Sequence, residues 1–148
     1  MHFITFALLF AGFSIGLGAV TVIDLHGFFG RKSSYWTEAT TRTHKITKPL
    51  IWIGSLLVLL AQIFGTYTGI FHSLFFHFYI LAALILNGCF LTFVVSKELL
   101  LREKAGKSAE LLPMALQNKI MVSFCISFVG WWTLLLSFAY FISESVIQ

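Results

Sequence analysis

Two kinds of side chain in this sequence could do chemistry inside an otherwise apolar chain: imidazoles and one carboxylate. His2 opens the first apolar stretch, and His77 lies in the run Phe75-Phe76-His77-Phe78-Tyr79 of the third. An imidazole near hydrocarbon is uncommon and should find a partner. Two imidazoles from different helices suit axial ligation of haem iron, and imidazole also suits copper and related metals. The alternative for His77 is an interfacial histidine bonded to water or headgroups. Asp24 is the one acid within the first apolar stretch, and His26 follows two residues later. A carboxylate at that depth is costly unless paired, which makes it a functional suspect. Asp24 and His26 suit an acid–base pair or proton relay. A structural ion pair with Lys45, Lys48 or Lys97 is the competing reading.

Depth separates the histidines. At a rise of about 1.5 Å per residue, His2 and His26 stand roughly 36 Å apart along one helix. They therefore belong to two groups. His2, His72 and His77 lie at one side, and His26 and His44 lie at the other with Asp24, Arg31, Glu38 and Arg42.

The elements that position these residues follow from hydropathy. Of 148 residues, 58% are hydrophobic and 11% charged, with 17 phenylalanines. A soluble domain carries roughly 25% charged residues, and one this small keeps too much surface to hide such a chain. Four stretches reach the length of about 20 apolar residues that a bilayer core requires: about 3–29, 50–68, 73–95 and 120–142. Within lipid each must be helical, since its backbone groups have no other partners. Short connections favour antiparallel neighbours. The expected fold is all-α, a single transmembrane domain over 1–148 built as an integral membrane four-helix up-down-up-down bundle.

All ten lysines and arginines fall in the loops expected at about 30–48 and 96–119. That asymmetry places both loops in the cytoplasm and both termini outside. It accounts for the formal charge of +4 without a nucleic-acid partner. The lipid bilayer is the expected partner, together with a homo-oligomer or a second membrane protein. The first stretch lacks a basic leader and is too long for a cleavable signal peptide. Pro49 suits the first turn of the second span, and Gly69 its end. Tyr35 and Trp36 suit a short helix at headgroup level.

Gly12 and Gly16 form a small-xxx-small ridge, as do Ser14 and Gly18. Such ridges let a neighbouring helix approach closely, and they also make room for a flat cofactor. Gln62 and Asn87 are deep amides that bond to another helix or line a cofactor cavity. Cys89 and Cys125 lie in apolar spans and read as packing residues rather than a disulfide or zinc pair. Nothing matches a catalytic triad, a P-loop or a dinucleotide fingerprint.

The run from His2 to Gly12, with its Ala11-Gly12 pair, together with His77 to Asn87, resembles small four-helix bacterial membrane proteins of the protoporphyrinogen oxidase and copper-resistance protein D type. The resemblance implies a haem b site or a porphyrin-related redox role. It makes His2 and His77 the expected metal ligands and Gly12, Gly16 and Asn87 the expected cofactor contacts, in an inner membrane. One position departs: Tyr79 stands where the family carries a lysine, which argues against the full oxidase activity. A non-enzymatic scaffold or accessory subunit and a small oligomeric transporter remain the alternatives.

Overall fold

The computed structural model describes residues 2–30, 35–71, 75–107 and 110–147. Helix α1 spans His2–Gly30 and α2 spans Tyr35–Tyr67. Helix α3, Phe75–Phe90, continues through a π turn at Leu91–Val95 into α4, Ser96–Lys104. Helix α5 spans Met114–Ile147. The described residues contain no strand. Four helical rods result, each long and apolar enough to cross a membrane: His2–Phe29, Arg42–Tyr67, Phe75–Lys104 and Met114–Ser143. The all-α four-helix bundle expected from hydropathy is the observed architecture.

The rods outrun the apolar stretches. Tyr35 to Lys48, expected as a loop with a short surface helix, is the first part of α2. The segments 96–104 and 114–119, also expected as loop, are helical too. Hydropathy marks where a bilayer ends, whereas backbone hydrogen bonding continues for as long as residues tolerate the helix. Glu38 and Arg42, one turn apart and joined at 2.6 Å, support this extension. Pro49 therefore lies inside α2 and removes the N–H that would bond the Lys45 carbonyl. Gly69 ends α2 as expected, at φ +71°, and Gly106 does the same after α4 at φ +72°. Glycine takes that left-handed conformation without a Cβ penalty. Arg102 fastens the loop after α4 by donating to the Leu111 carbonyl and pairing with Glu110.

Chain neighbours pack as antiparallel pairs, and α5 closes the ring by packing on both α3 and α1. Helices α1 and α3 stand diagonally and do not pack directly. The tightest seam joins α1 to α2. Gly54 of α2 faces Gly12 and Gly16 of α1, so a Cβ on Gly54 would strike the Gly16 backbone and approach the Gly12 carbonyl to 2.8 Å. The glycine ridge thus serves helix packing. The outer pair of that ridge, Ser14 and Gly18, faces away from the bundle.

The end of the bundle that carries both chain termini is held by an aromatic core. Phe138 meets Phe13, Phe71 and His77, with the imidazole centroid 4.3 Å away. Trp131 meets Phe13 edge to face. Each such contact adds about 0.5–1.5 kcal/mol beyond its area. Outward, Phe10, Leu86, Phe93, Val129 and Leu136 are exposed along the mid-length of the rods. A surface of that kind is the mark of contact with lipid. Tyr67, Tyr79 and Tyr140 also face outward at the terminal end, as an interfacial aromatic belt does.

Candidate functional site: a cleft between the helices at the basic end

Toward the end that carries the basic residues lies a cleft between the helices, partly open to the outside, with about 90 Å³ of room inside. Its ionisable and amide groups are Asp24 on α1, His44 and Lys48 on α2, and Gln117 on α5, and the hydroxyls of Ser55, Thr92 and Ser127 also line it. Deeper, it is walled by Ile51, Trp52, Leu84, Phe124 and Trp131. The ionisable groups therefore gather toward the basic end, and the deeper lining is mostly apolar.

The local sequence explains each placement. His44, Lys48, Trp52 and Ser55 recur at spacings of four, four and three, which puts them on one face of α2. Ser55 turns its hydroxyl back to the Ile51 carbonyl and so offers the cleft little polarity. On α1, Asp24 lies six residues before Gly30, about 9 Å from the helix end. Val20, Gly27 and Phe28 share its face of the cleft. On the third rod the lining includes Gly88, Leu91, Thr92 and Val95, and three of these lie in the π turn. There the Ser96 N–H donates to the Leu91 carbonyl, five residues back. Wide turns of this type recur at functional sites because they re-aim side chains within a helix. Gly88 leaves the room that Trp52 enters: a Cβ there would lie 3.5 Å from the indole.

Asp24 is the electrostatic centre of the cleft. Its Oδ2 is buried and has no hydrogen-bond partner. The expected ion pair is not formed, since no base lies within 4 Å of Asp24 among the described residues. Lys45 instead meets Glu103 at 3.3 Å, and neither Lys48 nor Lys97 reaches the carboxylate. His26 does not join Asp24 either. Two residues apart on a helix, the pair cannot face one another, and His26 is exposed outside the cleft. Asp24 thus shares the cleft with His44 and Lys48 rather than with His26. Arg31 and His72 lie outside the described residues, as do the side chains of Tyr35 and Trp36.

The residues expected around a haem are scattered. His77 is buried against Phe138, whereas His2 is exposed on the diagonal helix. Phe13, Phe71 and Phe138 belong to the buried core on which His77 packs. Beside Gly12 and Gly16 stand Gly54, Val58 and Trp131. Asn87 is engaged on both sides of its amide: it donates to the Ser123 carbonyl and the Ser127 hydroxyl, and accepts from the Ser123 hydroxyl at 2.7 Å. No cluster of three or more His, Cys, Asp or Glu occurs among the described residues. Cys89 and Cys125 are free thiols. His77 keeps one feature of interest, because neither ring nitrogen completes a hydrogen bond of good geometry, although the Ser137 backbone lies close enough to influence the ring. Gln62, wholly buried in α2, likewise has no partner for either amide atom.

Sequence reasoning singled out Asp24 and His44 but missed Trp52, Gly88, Gln117 and the π turn. The four-residue spacing from His44 to Trp52 was the available signal. The π turn left none. Comparison with family models, curated proteins and solved structures finds no match for this chain.

Proposed function

We propose that this is an inner-membrane protein, with its basic end in the cytoplasm, that binds one membrane amphiphile in the cleft. The supporting observation is the division of the cleft into a charged mouth and an apolar depth. The mouth brings Asp24, His44 and Lys48 together, and the depth is walled by Trp52, Leu84, Phe124 and Trp131. Small-molecule sites have this character: mostly apolar walls with a few polar groups that fix orientation. The complete confinement of lysine and arginine to one side of the spans supports the orientation. The reading is one of binding, as in a lipid carrier, receptor or accessory subunit. Asp24 and His44 hold a polar head, and no reaction is assigned to them.

The test is retention of an amphiphile by purified protein, read by native mass spectrometry after release from nanodiscs. Wild type is expected to keep one lipid-sized molecule per chain. Gly88→Leu, which fills the cleft opposite Trp52, should lower retention by roughly tenfold, the order expected when a single apolar contact region is lost. Helix content should be unchanged. Wild-type protein that emerges bare, or a variant that binds as well as wild type, would remove the reading.

A second reading, haem b held through His77 in a redox or porphyrin-related role, has the unpartnered buried imidazole as its support. On this reading, protein purified with added haem shows a Soret band that His77→Ala abolishes and His2→Ala leaves in place. Absence of the band in wild type would end it.

A further inference from the structure

Building on the amphiphile-binding reading, we propose that the occupant of the cleft is an aminophospholipid, with its ammonium on Asp24 and its phosphate on Lys48 and His44. An acid and a base share the cleft without meeting. Asp24 and Lys48 both line it, yet no ion pair joins them, and the buried Oδ2 of Asp24 has no donor. A buried carboxylate without a donor is strongly unfavourable. A ligand that supplies an N–H⁺ group to Asp24 relieves that cost. A ligand carrying only negative charge would place it beside the carboxylate and worsen it. Lys48 and His44 call for the opposite end of a dipole. A phosphate monoanion with a primary ammonium answers both, through charge-assisted hydrogen bonds at each end. A quaternary ammonium has no N–H to give and does not satisfy Asp24.

The way in points to a lipid rather than a free zwitterion. A second opening of about 470 Å³ lies on the seam between α2 and α4 and shares His44, Lys48, Trp52 and Leu99 with the cleft. Its rim also includes Leu100, which is exposed, and the aliphatic ring of Pro49. Helix α2 meets the third rod sparingly along this seam, in contrast to its tight packing on α1. The opening faces sideways at the level where the basic residues begin. An acyl chain can slide past Trp52 into the apolar depth while its headgroup stays level with Lys48.

The experiment titrates wild-type protein in detergent with phosphatidylethanolamine, phosphatidylcholine and phosphatidylglycerol of identical acyl chains, read by native mass spectrometry. Free phosphoethanolamine serves as competitor. Phosphatidylethanolamine should bind roughly tenfold more tightly than either other lipid, the effect expected of one charge-assisted hydrogen bond in a desolvated site. Asp24→Asn, which keeps side-chain shape, should erase that preference, and Lys48→Gln should weaken both phosphatidylethanolamine and phosphatidylglycerol. Free phosphoethanolamine at lipid-equivalent concentration should not compete. Equal binding of the three lipids by wild type would overturn the headgroup assignment while leaving amphiphile binding intact. Tightest binding of phosphatidylglycerol would overturn it as well, as would Asp24→Asn with the preference unchanged. Competition by the free headgroup would show a soluble zwitterion to be the ligand. If no lipid binds at all, the underlying reading falls too. Because the wild-type headgroup series decides by itself, the test survives a variant that fails to fold.

Discussion

Gly54→Val is expected to separate α1 from α2 and to destabilise the protein by about 3 kcal/mol or more, the upper range for overpacking a filled interface. A Cβ at this position meets the backbone of Gly16 and the carbonyl of Gly12. Neither is the tip of a flexible side chain, so relief requires the helices to move apart. Moving them apart would undo the burial of Val58 and Ala61, which have no exposure, and of Leu9 and Phe13. Gly18→Val provides the control on the same helix. Nothing lies within 4 Å of a Cβ there, and a substitution on that outer face should stay within about 0.5 kcal/mol. Reversible unfolding in mixed micelles, followed by helical circular dichroism, measures both. If the two variants unfolded alike, the close seam between α1 and α2 would be refuted. Gly16→Ala should fall between them, because its new methyl meets a side-chain tip, that of Trp131, at 2.6 Å and the Gly54 backbone only at 3.2 Å.

These glycines also show what the sequence made legible and what it did not. Their spacing of four announced a close helix contact, but nothing local named Gly54 as the partner. Gly54 has no small residue four positions away on α2, where Leu50 and Val58 stand, and only the fold brings it to the ridge. The spans themselves were readable because lipid enforces one rule along their whole length. Their ends were less so: the threonines, lysines and arginines before Pro49 look like loop in hydropathy, yet they sustain helix in water. Asn87 was readable as an amide that needs a partner, and it has two on α5. Asp24 stood out as a carboxylate in an apolar run, but its setting did not. The residues that turn it into a site come from α2, the π turn and α5, and each is unremarkable in its own window. His26 misled because nearness in sequence suggested a pair, whereas a step of two on a helix turns the side chains about 200° apart. His2 and His77 were grouped by depth alone. Depth along a helix says nothing about which rods are diagonal, and His77 packs on Phe138 of α5.

Asn87→Leu is expected to destabilise the bundle by about 2 kcal/mol and to alter the cleft from its floor. The amide of Asn87 makes three hydrogen bonds to α5, at 3.0, 2.9 and 2.7 Å. Interhelical hydrogen bonds in membranes contribute on average about 0.6 kcal/mol each and at most about 1.7. Three of them therefore account for roughly 2 kcal/mol, before any change in packing. Leucine keeps the branch at Cγ but is larger than asparagine, so overpacking of this buried seam adds to the polar loss. It also leaves the Ser127 hydroxyl and both the hydroxyl and the carbonyl of Ser123 without their Asn87 partner in a buried seam. Ser127 lines the cleft, so its freed hydroxyl becomes a new polar group in the apolar depth, beside Leu84 and Trp131. Retention of the amphiphile should fall in parallel with stability, and the triple variant Asn87→Leu, Ser123→Ala, Ser127→Ala should recover both, because it removes both hydroxyls left without a partner. Unfolding in mixed micelles and lipid retention measured on the same preparations test the pair of effects. Recovery of stability without recovery of retention would show that the floor of the cleft plays no part in holding its ligand. Failure to recover stability would show that Asn87 joins α3 to α5 through shape rather than through hydrogen bonds.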